Sequence, residues 1–276
     1  MRYKVSVIIR VYDRTEDLDK NLKIISKLWT RHDYEVTVVF NGQSSGYTLS
    51  DYTTKTAHKI INLEKNAGHL KGNSQLILEA LKNRDSKSDY TILLEADTWL
   101  MGDQLIDTYL SKMHASNSVW ASSEWVEARW SVGVDFILIK SSFFEEHGKT
   151  LFTFETRPEM SICETLLQQK YPFLYIKECM PVHRPSFIKS IYNADGGRVR
   201  LFPRAKMLTH HIENLENGMP EKLYLADVCY SKPFFTTTAP FQLYLHHKGY
   251  RLLELLMRLT PRSTWFKSKR YTFTQD

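Results

Sequence analysis

Short apolar runs alternate with stretches of helical spacing through the first hundred residues of this chain. The runs have the length and aliphatic content of buried strands and cover residues 4–12, 34–40, 59–63 and 91–94. Amphipathic spacing follows the first run at residues 16–30, and it returns after residue 73. Strands that alternate with helices in this order build a mixed, mostly parallel sheet with helices on both faces. The alternation therefore predicts an α/β, Rossmann-like fold.

The composition is that of a folded protein with a sizeable core. Of 276 residues, 42% are hydrophobic. No apolar run approaches the ~18 residues of a membrane-spanning helix, and the amino terminus lacks the apolar core of a signal peptide. The cysteines are odd in number, widely spaced and without a CxxC pair, as is typical of reduced thiols: Cys163, Cys179 and Cys229. We therefore expect a cytoplasmic protein without a zinc site.

Positive charge is concentrated near the carboxyl terminus. Residues 232–270 contain eight Lys or Arg and one acid, Glu254, which gives this segment a charge of +7. Since the whole chain carries +6, the remainder sums to about −1. Any anionic partner is therefore expected at the C-terminal end.

Two carboxylates follow the fourth predicted strand, one residue apart. Glu95 and Asp97 flank the small Ala96, and no basic residue lies near them in sequence. Ligands of open α/β sheets gather at the carboxyl ends of the strands, and paired acids there favour a hard divalent cation such as Mg²⁺ or Mn²⁺. The alternative is that both acids cap the next segment or face water.

The turn after the first strand excludes two common classes of nucleotide site. A dinucleotide-binding Rossmann unit and a P-loop both need glycines at this point to hold phosphates. This chain has Tyr12, Asp13 and Arg14 instead. A metal would therefore take over much of the phosphate binding.

Four segments carry a further set of motifs in a fixed order. They are VSVIIRVYDR at residues 5–14, VVFNGQ at 38–43, NAGHLKGN at 66–73 and LLEADTW at 93–99. In this order they resemble the motifs VSVIIPTYNR, VVDDGS or VVDNGS, NLGFAGGNN and FLDADDW of the family 2 glycosyltransferases, which have the GT-A fold. The resemblance covers roughly two thirds of the chain and fades beyond residue 185.

The resemblance implies an enzyme that transfers a sugar from a nucleoside diphosphate sugar with the help of Mn²⁺ or Mg²⁺. Asp97 would bind the metal directly, and Glu95 would serve the metal, a metal-bound water or the ribose. The ion would stabilise the charge that develops on the departing diphosphate. The residues expected to line the nucleotide sugar are Arg10, Val11, Tyr12, Arg14, Asn41, Asn66, Gly68, Lys71, Asn73, Glu95 and Ala96.

Two departures from the family motifs affect this expectation. Phe40 stands where the family often has an aspartate that helps to read uracil, so UDP is favoured without being fixed. Glu95 is one methylene longer than the family's aspartate, which shifts the geometry of a bound metal.

A general base is expected in the segment 152–171, which resembles the family's loop ending GEDTDLALRLRRAGY. Counting back from the final Tyr171 assigns the base position to Glu159, just after Pro158 at a helix start. An inverting transferase needs such a carboxylate to deprotonate the acceptor hydroxyl. Glu155 and Glu164 are rival candidates, and an ordinary acid in a first helical turn is the alternative interpretation.

Histidines and aromatic residues supply the remaining candidates. His183, in a segment similar to the family's YVPDAVVYHH, would contact the metal or the diphosphate, with His210 and His211 as second candidates. Trp125 and Trp130 would either stack on a sugar ring or belong to the core. Three arginines could pair with phosphates or face solvent: Arg184, Arg198 and Arg200.

The chain is predicted to divide into a catalytic domain, residues 1–230, and a basic, aromatic helical extension, residues 231–276. Leucines interspersed with Lys and Arg over 241–259 suit a helix on an anionic membrane surface, which would bring the enzyme to a lipid-linked acceptor. A helix packed on the catalytic domain is the equal alternative. No nucleic-acid-binding module accompanies the charge.

The sequence therefore predicts an inverting, metal-dependent GT-A glycosyltransferase acting on a saccharide or lipid-linked acceptor, in the cytoplasm or at the inner face of the membrane. Two alternatives are a retaining transferase of the same fold and a non-catalytic protein that binds sugar nucleotides or scaffolds a membrane assembly. Glu95, Phe40 and Met160, each a departure from the family, motivate the second.

Overall fold

The computed structural model describes residues 1–84, 87–124, 130–154, 156–179, 200–202, 204–209, 215, 217–236 and 252. Its centre is a seven-stranded sheet with the order β3-β2-β1-β4-β7-β6-β8. The strands are β1 (Lys4–Val11), β2 (Asp33–Phe40), β3 (Lys59–Asn62), β4 (Tyr90–Glu95), β6 (Trp120–Ser122), β7 (Phe136–Lys140) and β8 (Phe173–Tyr175).

Strand direction divides this sheet into two parts. Strands β3, β2, β1 and β4 are parallel to one another, while β7 runs antiparallel to both β4 and β6, and β6 is parallel to β8. In the register of β1 and β4, Arg10 lies opposite Glu95. Because β7 is antiparallel, its beginning at Phe136 lies opposite Leu94, near the end of β4. The predicted mixed, mostly parallel sheet is confirmed.

Helices cover both faces of the sheet. Alternate residues of β1 point to opposite sides, so Val7 and Ile9 belong to one apolar core and Ile8 to another. The first core includes apolar residues of α1 and α4, and the second includes those of α3, α5 and α6. The helices are α1 (Thr15–Leu28), α2 (Asp51–Thr56), α3 (His69–Asn83), α4 (Gln104–Ser116), α5 (Ser141–Leu151), α6 (Pro158–Gln168) and α7 (Gly218–Tyr230).

A second, three-stranded antiparallel sheet lies against α1 and α7. It has the order β5-β10-β9 and comprises β5 (Trp99–Leu100), β9 (Arg200–Phe202) and β10 (Met207–Thr209). A third apolar core joins it to the helices through Ile24, Trp99, Leu208 and Leu225. The second sheet is a feature that sequence patterns missed, because strands of two or three residues are too short to show a period.

Most predicted elements appear with small differences at their ends. Helix α3 begins at His69, inside the motif at residues 66–73 and earlier than the helical spacing after residue 73 predicted. Strand β6 is observed at Trp120–Ser122, and residues 125–129 lie outside the described part. Among the described residues, none of the helices combines the length and the hydropathy that crossing a bilayer requires.

Candidate active site

The carboxylates Glu95 and Asp97 lie where β1, β2 and β4 end together. Glu95 is the last residue of β4, and Asp97 belongs to the turn that leads into β5. The Glu95 side chain is 27% exposed, whereas Asp97 is 5% exposed as a residue. This edge of the parallel sheet is the expected position of a ligand site in an open α/β fold.

Arg10, at the end of β1, is a buried cation beside these acids. It is 3% exposed, and its Nη2 lies 3.5 Å from Glu95 Oε1. Its Nη1 donates to Asn73 Oδ1 at 2.5 Å, and its Nη2 donates to the Val134 carbonyl oxygen. Burial lowers the pKa of Arg10, and Glu95 opposes the shift. A guanidinium nevertheless stays charged in proteins, so Arg10 is a fixed positive charge that ties three segments together.

Asp135 is a site residue that the sequence interpretation missed. It is 3% exposed, its carbonyl oxygen accepts from the Glu95 backbone N–H at 3.0 Å, and its charge acts on Arg10. The reason is the antiparallel β7, which brings its first residues to the carboxyl edge of β4. The sequence did contain a signal, because Asp135 directly precedes the run of four apolar residues 136–139. Burying a carboxylate beside such a run costs free energy unless the carboxylate has a partner.

Asn41 and Asn66 fasten the end of β2 to the beginning of α3. Asn41 is 1% exposed, and its amide group donates to Asn66 Oδ1 at 3.3 Å and to the Gly72 carbonyl at 3.4 Å. Asn66 Oδ1 also accepts from the Gly68 N–H at 3.0 Å. A Cβ on Gly72 would lie 2.1 Å from Asn66 Oδ1, so a larger residue there would displace the Asn66 side chain from this position. Asn41 is therefore buried, with its amide group bonded to Asn66 and Gly72.

Tyr12, which follows β1 directly, forms an aromatic pair with Tyr47. Its ring meets that of Tyr47 edge-on, with centroids 5.3 Å apart, and its hydroxyl lies 3.1 Å from Ser45 Oγ. Gly42 packs below, where a Cβ would come within 2.0 Å of the Tyr12 carbonyl oxygen and 2.6 Å of the Phe40 ring. Tyr47 is 38% exposed, so the pair presents an accessible apolar edge.

The remaining predicted binding residues are Lys71, Asn73, Arg14, Val11 and Ala96. Lys71 is exposed in the first turn of α3, which has no acid and no side-chain cap, and Asn73 is half-buried behind it. Arg14 is half-buried, with its Nε 3.7 Å from Asp13 Oδ1. Val11 and Ala96 are buried, so they contribute backbone and shape rather than side-chain contacts.

Glu159 lies in the first turn of α6, half-buried. Its carbonyl oxygen accepts from the Val132 N–H at 3.0 Å, two residues before the carbonyl that Arg10 binds. The preceding Arg157 has a left-handed backbone (φ 43°), which is uncommon for a residue with a Cβ. The segment 132–134 thus connects the start of α6 with the edge of the sheet where Glu95 and Asp97 lie, which we call the carboxylate edge. Glu164 is exposed on the same helix.

A buried ion pair contacts the carboxylate turn, which comprises residues 95–98. Sequence patterns did not predict it. Asp17 on α1 and Lys222 on α7 are 1% and 0% exposed, and the Lys222 ammonium donates to the Asp17 carboxylate. Burial raises the pKa of Asp17 to about 6, although Lys222 opposes the shift. The partners are 205 residues apart in sequence, which is why local periodicity could not join them.

Several predicted candidates lie outside the described residues. Among them are Trp125, Glu155, His183, Arg184, Arg198, His210 and His211, together with all but residue 252 of the stretch 241–276. Arg200 belongs to β9, but its side chain is not described. Trp130 is half-buried against the core that contains α5 and α6.

The described residues supply no cluster of three or more His, Cys, Asp or Glu that could hold a metal alone. Glu95 and Asp97 offer carboxylate oxygens, which suit Mg²⁺ or Mn²⁺, and such ions commonly take their remaining ligands from water and substrate phosphates. The donor set therefore fits a metal site that a diphosphate would complete.

No protein family matches this sequence, and no curated protein is similar to it. Among solved structures, it resembles a mannosyltransferase from Pyrobaculum calidifontis in complex with GDP-Man and Mn²⁺, with a TM-score of 0.48, 12% identity and coverage of 91% of this chain and 70% of that one. It also resembles S. aureus TarS in complex with UDP-GlcNAc, with a TM-score of 0.38, 16% identity and coverage of 54% and 52%. This chain thus spans about half the length of that TarS structure.

A third similar structure is 4-diphosphocytidyl-2C-methyl-D-erythritol synthase from Anaerococcus prevotii. Its TM-score is 0.43, with 12% identity and coverage of 63% of this chain and 88% of that one. Similarities at this level concern the fold alone. The case for a function therefore has to come from the geometry of the carboxylate edge.

Proposed function

We propose that this chain is a metal-dependent glycosyltransferase, which moves a sugar from a nucleoside diphosphate sugar, UDP favoured, to a glycan or lipid-linked acceptor. One observation supports this above all others. Glu95 and Asp97, the buried Arg10 and the start of α3 meet at one edge of the sheet, without a glycine-rich phosphate loop on β1. A diphosphate bound there needs cations to balance its charge.

The nucleoside would lie against the Tyr12 and Tyr47 pair and the turn from Asn66 to Gly68. Tyrosine rings offer a face or an edge to any base, so this pocket does not select one base by itself. Phe40 is 2% exposed and belongs to the core, so it cannot read a base edge. The choice of UDP over GDP therefore rests on the family resemblance and has to be measured.

The diphosphate would lie between the first turn of α3 and the carboxylate turn. Unpaired N–H groups at a helix start attract anions, and the first turn of α3 carries the exposed Lys71 and no acid. Asn73, in the second turn of α3, accepts a hydrogen bond from Arg10. Phosphate oxygens would thus meet backbone donors and an ammonium group on one side.

A divalent cation would be held on the other side by Asp97 and Glu95. Arg10 carries one positive charge among the three acids that act on it, namely Glu95, Asp135 and Asp97. The balance of this cluster is −2, which one divalent ion neutralises. When bound, the ion stabilises the negative charge on the departing diphosphate. His183, the third predicted ligand, lies outside the described residues.

Glu159 would deprotonate the acceptor hydroxyl, which makes inversion of the anomeric carbon the proposed outcome. It lies in the first helical turn of α6, where its carbonyl oxygen accepts from the Val132 N–H, and the Arg10 side chain donates to the carbonyl of nearby Val134. A carboxylate on the acceptor side accepts the proton while the hydroxyl oxygen attacks the anomeric carbon. In a retaining transferase of the same fold, Glu159 would have no such task.

The basic C-terminal extension would bring the enzyme to an anionic membrane surface. The support is its charge of +7 over residues 232–270, interspersed with leucines and aromatic residues. Sedimentation with vesicles containing anionic lipid should be weakened when residues 241–276 are deleted. Equal sedimentation of the full and shortened chains would contradict a peripheral membrane location.

Release of nucleoside diphosphate from a panel of UDP and GDP sugars tests the activity. We expect release with Mn²⁺ or Mg²⁺, none with EDTA, and a loss of at least ~100-fold in Asp97→Asn. Glu64→Gln is the matched control, because Glu64 is an exposed acid that follows β3 at the same edge of the sheet and is not among the predicted binding residues. If nucleotides bind but no donor is consumed with any acceptor, the chain is a non-catalytic sugar-nucleotide-binding protein.

A further inference from the structure

The backbone of the carboxylate turn, residues 95–98, is held from behind by side chains of two helices. The amide group of Asn21 donates to the carbonyl oxygens of Ala96 and Thr98, at 3.2 and 2.8 Å. The ammonium group of Lys222 donates to the carbonyl oxygen between them, that of Asp97, at 2.8 Å. Three consecutive carbonyls therefore have fixed partners, and α1 and α7 each supply part of them.

Lys222 is enclosed completely where it makes this contact. Its Nζ lies 4.3 Å from the centroid of the Trp99 ring, and both side chains are 0% exposed. The Trp99 indole N–H is directed at the carbonyls of Asp17 and Ala96, each at 3.2 Å. A lysine enclosed in this way loses its hydration, so its hydrogen-bond acceptors replace the lost contacts with water.

Stability alone does not explain a charged pair at this position. An apolar pair of similar volume would join α7 to α1 without the cost of removing two charges from water. What an apolar side chain could not do is donate to the Asp97 carbonyl. That bond adjoins the Cα from which the Asp97 carboxylate extends, so it limits the rotation of the peptide that sets the carboxylate direction.

We propose that Lys222 is a positioning residue of the donor site, which orients the Asp97 carboxylate for the metal and thereby couples the seating of α7 to nucleotide binding. This inference rests on the proposed function, in which Asp97 binds the metal. Lys222 itself contacts neither substrate nor metal. Hydrogen-bond partners that orient metal-ligating side chains typically affect metal affinity 10- to 100-fold.

The decisive variant is the double substitution Asp17→Asn with Lys222→Met. It removes both charges of the pair, so neither is left buried without its partner. We expect its melting temperature to stay within about 4 °C of the wild type. Its affinity for UDP or GDP in the presence of Mn²⁺, measured by calorimetry, should fall about 10-fold. Affinity for the same nucleotide in EDTA should not change, since the proposed base pocket at Tyr12 and Asn66 does not involve Lys222.

Asp227→Asn is the matched control on the same helix. The Asp227 carboxylate accepts from the N–H groups of Phe234, Phe235 and Thr236, at the far end of α7 from Lys222. This variant should lower the melting temperature without separating the Mn²⁺ and EDTA affinities. Equal Mn²⁺-dependent affinity in the double variant and the wild type would overturn the positioning role.

The same role would be overturned if the double variant lost affinity in Mn²⁺ and EDTA alike, in proportion to its loss of melting temperature, as a purely structural contact predicts. Failure of the proposed function gives a different result. In that case the wild type itself would show no nucleotide binding that depends on the metal.

Discussion

The guanidinium of Arg10 and the carboxylate of Glu95 lie 3.5 Å apart at directly opposed positions of β1 and β4. The family motif that this chain resembles has proline at the position of Arg10. Here the residue is a buried cation that also binds Asn73 and the Val134 carbonyl. The donor side and the acceptor side of the proposed site are therefore joined through one side chain.

Replacing Arg10 by lysine should destabilise the protein and weaken nucleotide binding. A single ammonium cannot reach Asn73, Val134 and Glu95 in the geometry of the planar guanidinium. We expect the free energy of unfolding, measured in urea at pH 7, to fall by about 2–4 kcal/mol. Arg2→Lys is the control, because Arg2 pairs with Asp33 at an exposed position, where the effect should stay below about 1 kcal/mol. Similar effects of both substitutions would contradict the central role of Arg10.

Gly42→Ala should displace the Tyr12 backbone and with it the aromatic pair. A methyl group at this position would meet the Tyr12 carbonyl oxygen at 2.0 Å, and a backbone atom cannot turn aside as a side chain can. We expect a loss of about 1–3 kcal/mol in unfolding free energy, together with weaker binding of nucleotide in EDTA.

Gly46→Ala separates this effect from backbone strain. Gly46 has a φ of +84°, and no atom lies within 4 Å of the position that a methyl group would take, so alanine there costs about 1 kcal/mol through conformation alone. Nucleotide affinity should remain that of the wild type. If Gly46→Ala weakened binding as much as Gly42→Ala, the contact with Tyr12 would not be the cause.

Local patterns in the sequence predicted the parallel half of the fold and the carboxylates that end β4. The apolar runs of β1, β2 and β4 and the period of α1 are long enough to be read without tertiary information. Glu95 and Asp97 follow such a run directly, which made their position at the sheet edge predictable.

Contacts between distant segments explain what the sequence could not predict. Asp135 reaches the carboxylate edge only because β7 enters the sheet antiparallel to β4. Lys222 reaches Asp97 only because α7 packs against α1, and the Asp17 partner lies 205 residues away. Neither relationship follows from composition or period, since both depend on the pairing of remote elements.

The contribution of Asp17 to stability should fall as the pH rises from about 4 to about 6. Burial raises the pKa of Asp17 in the folded protein to about 6 from 3.8, so the folded state holds a proton that the unfolded chain has already released. The stabilisation is complete below the unfolded value and is lost as the pH passes the folded one, by about 3 kcal/mol at most.

Urea unfolding of the wild type and Asp17→Asn over this pH range isolates the effect, because asparagine does not titrate. The difference in unfolding free energy between the two proteins should change in favour of the variant as the pH rises, and then stay constant above about pH 7. A difference that is independent of pH would show that Asp17 titrates normally in the folded protein.

Glu159→Gln should abolish transfer while leaving donor binding nearly intact. Glutamine keeps the size and the helical position of Glu159 but cannot accept the proton of the acceptor hydroxyl, so kcat should fall by about 100- to 10,000-fold. Glu164→Gln is the matched control, since Glu164 is an exposed acid on the same helix and should retain full activity.

Calorimetry with nucleotide and Mn²⁺ should give the same affinity for both variants and the wild type. The configuration of the product, determined by NMR, supplies the second readout: inversion together with an inactive Glu159→Gln supports the base, whereas retention, or full activity of this variant, would remove Glu159 from the chemistry.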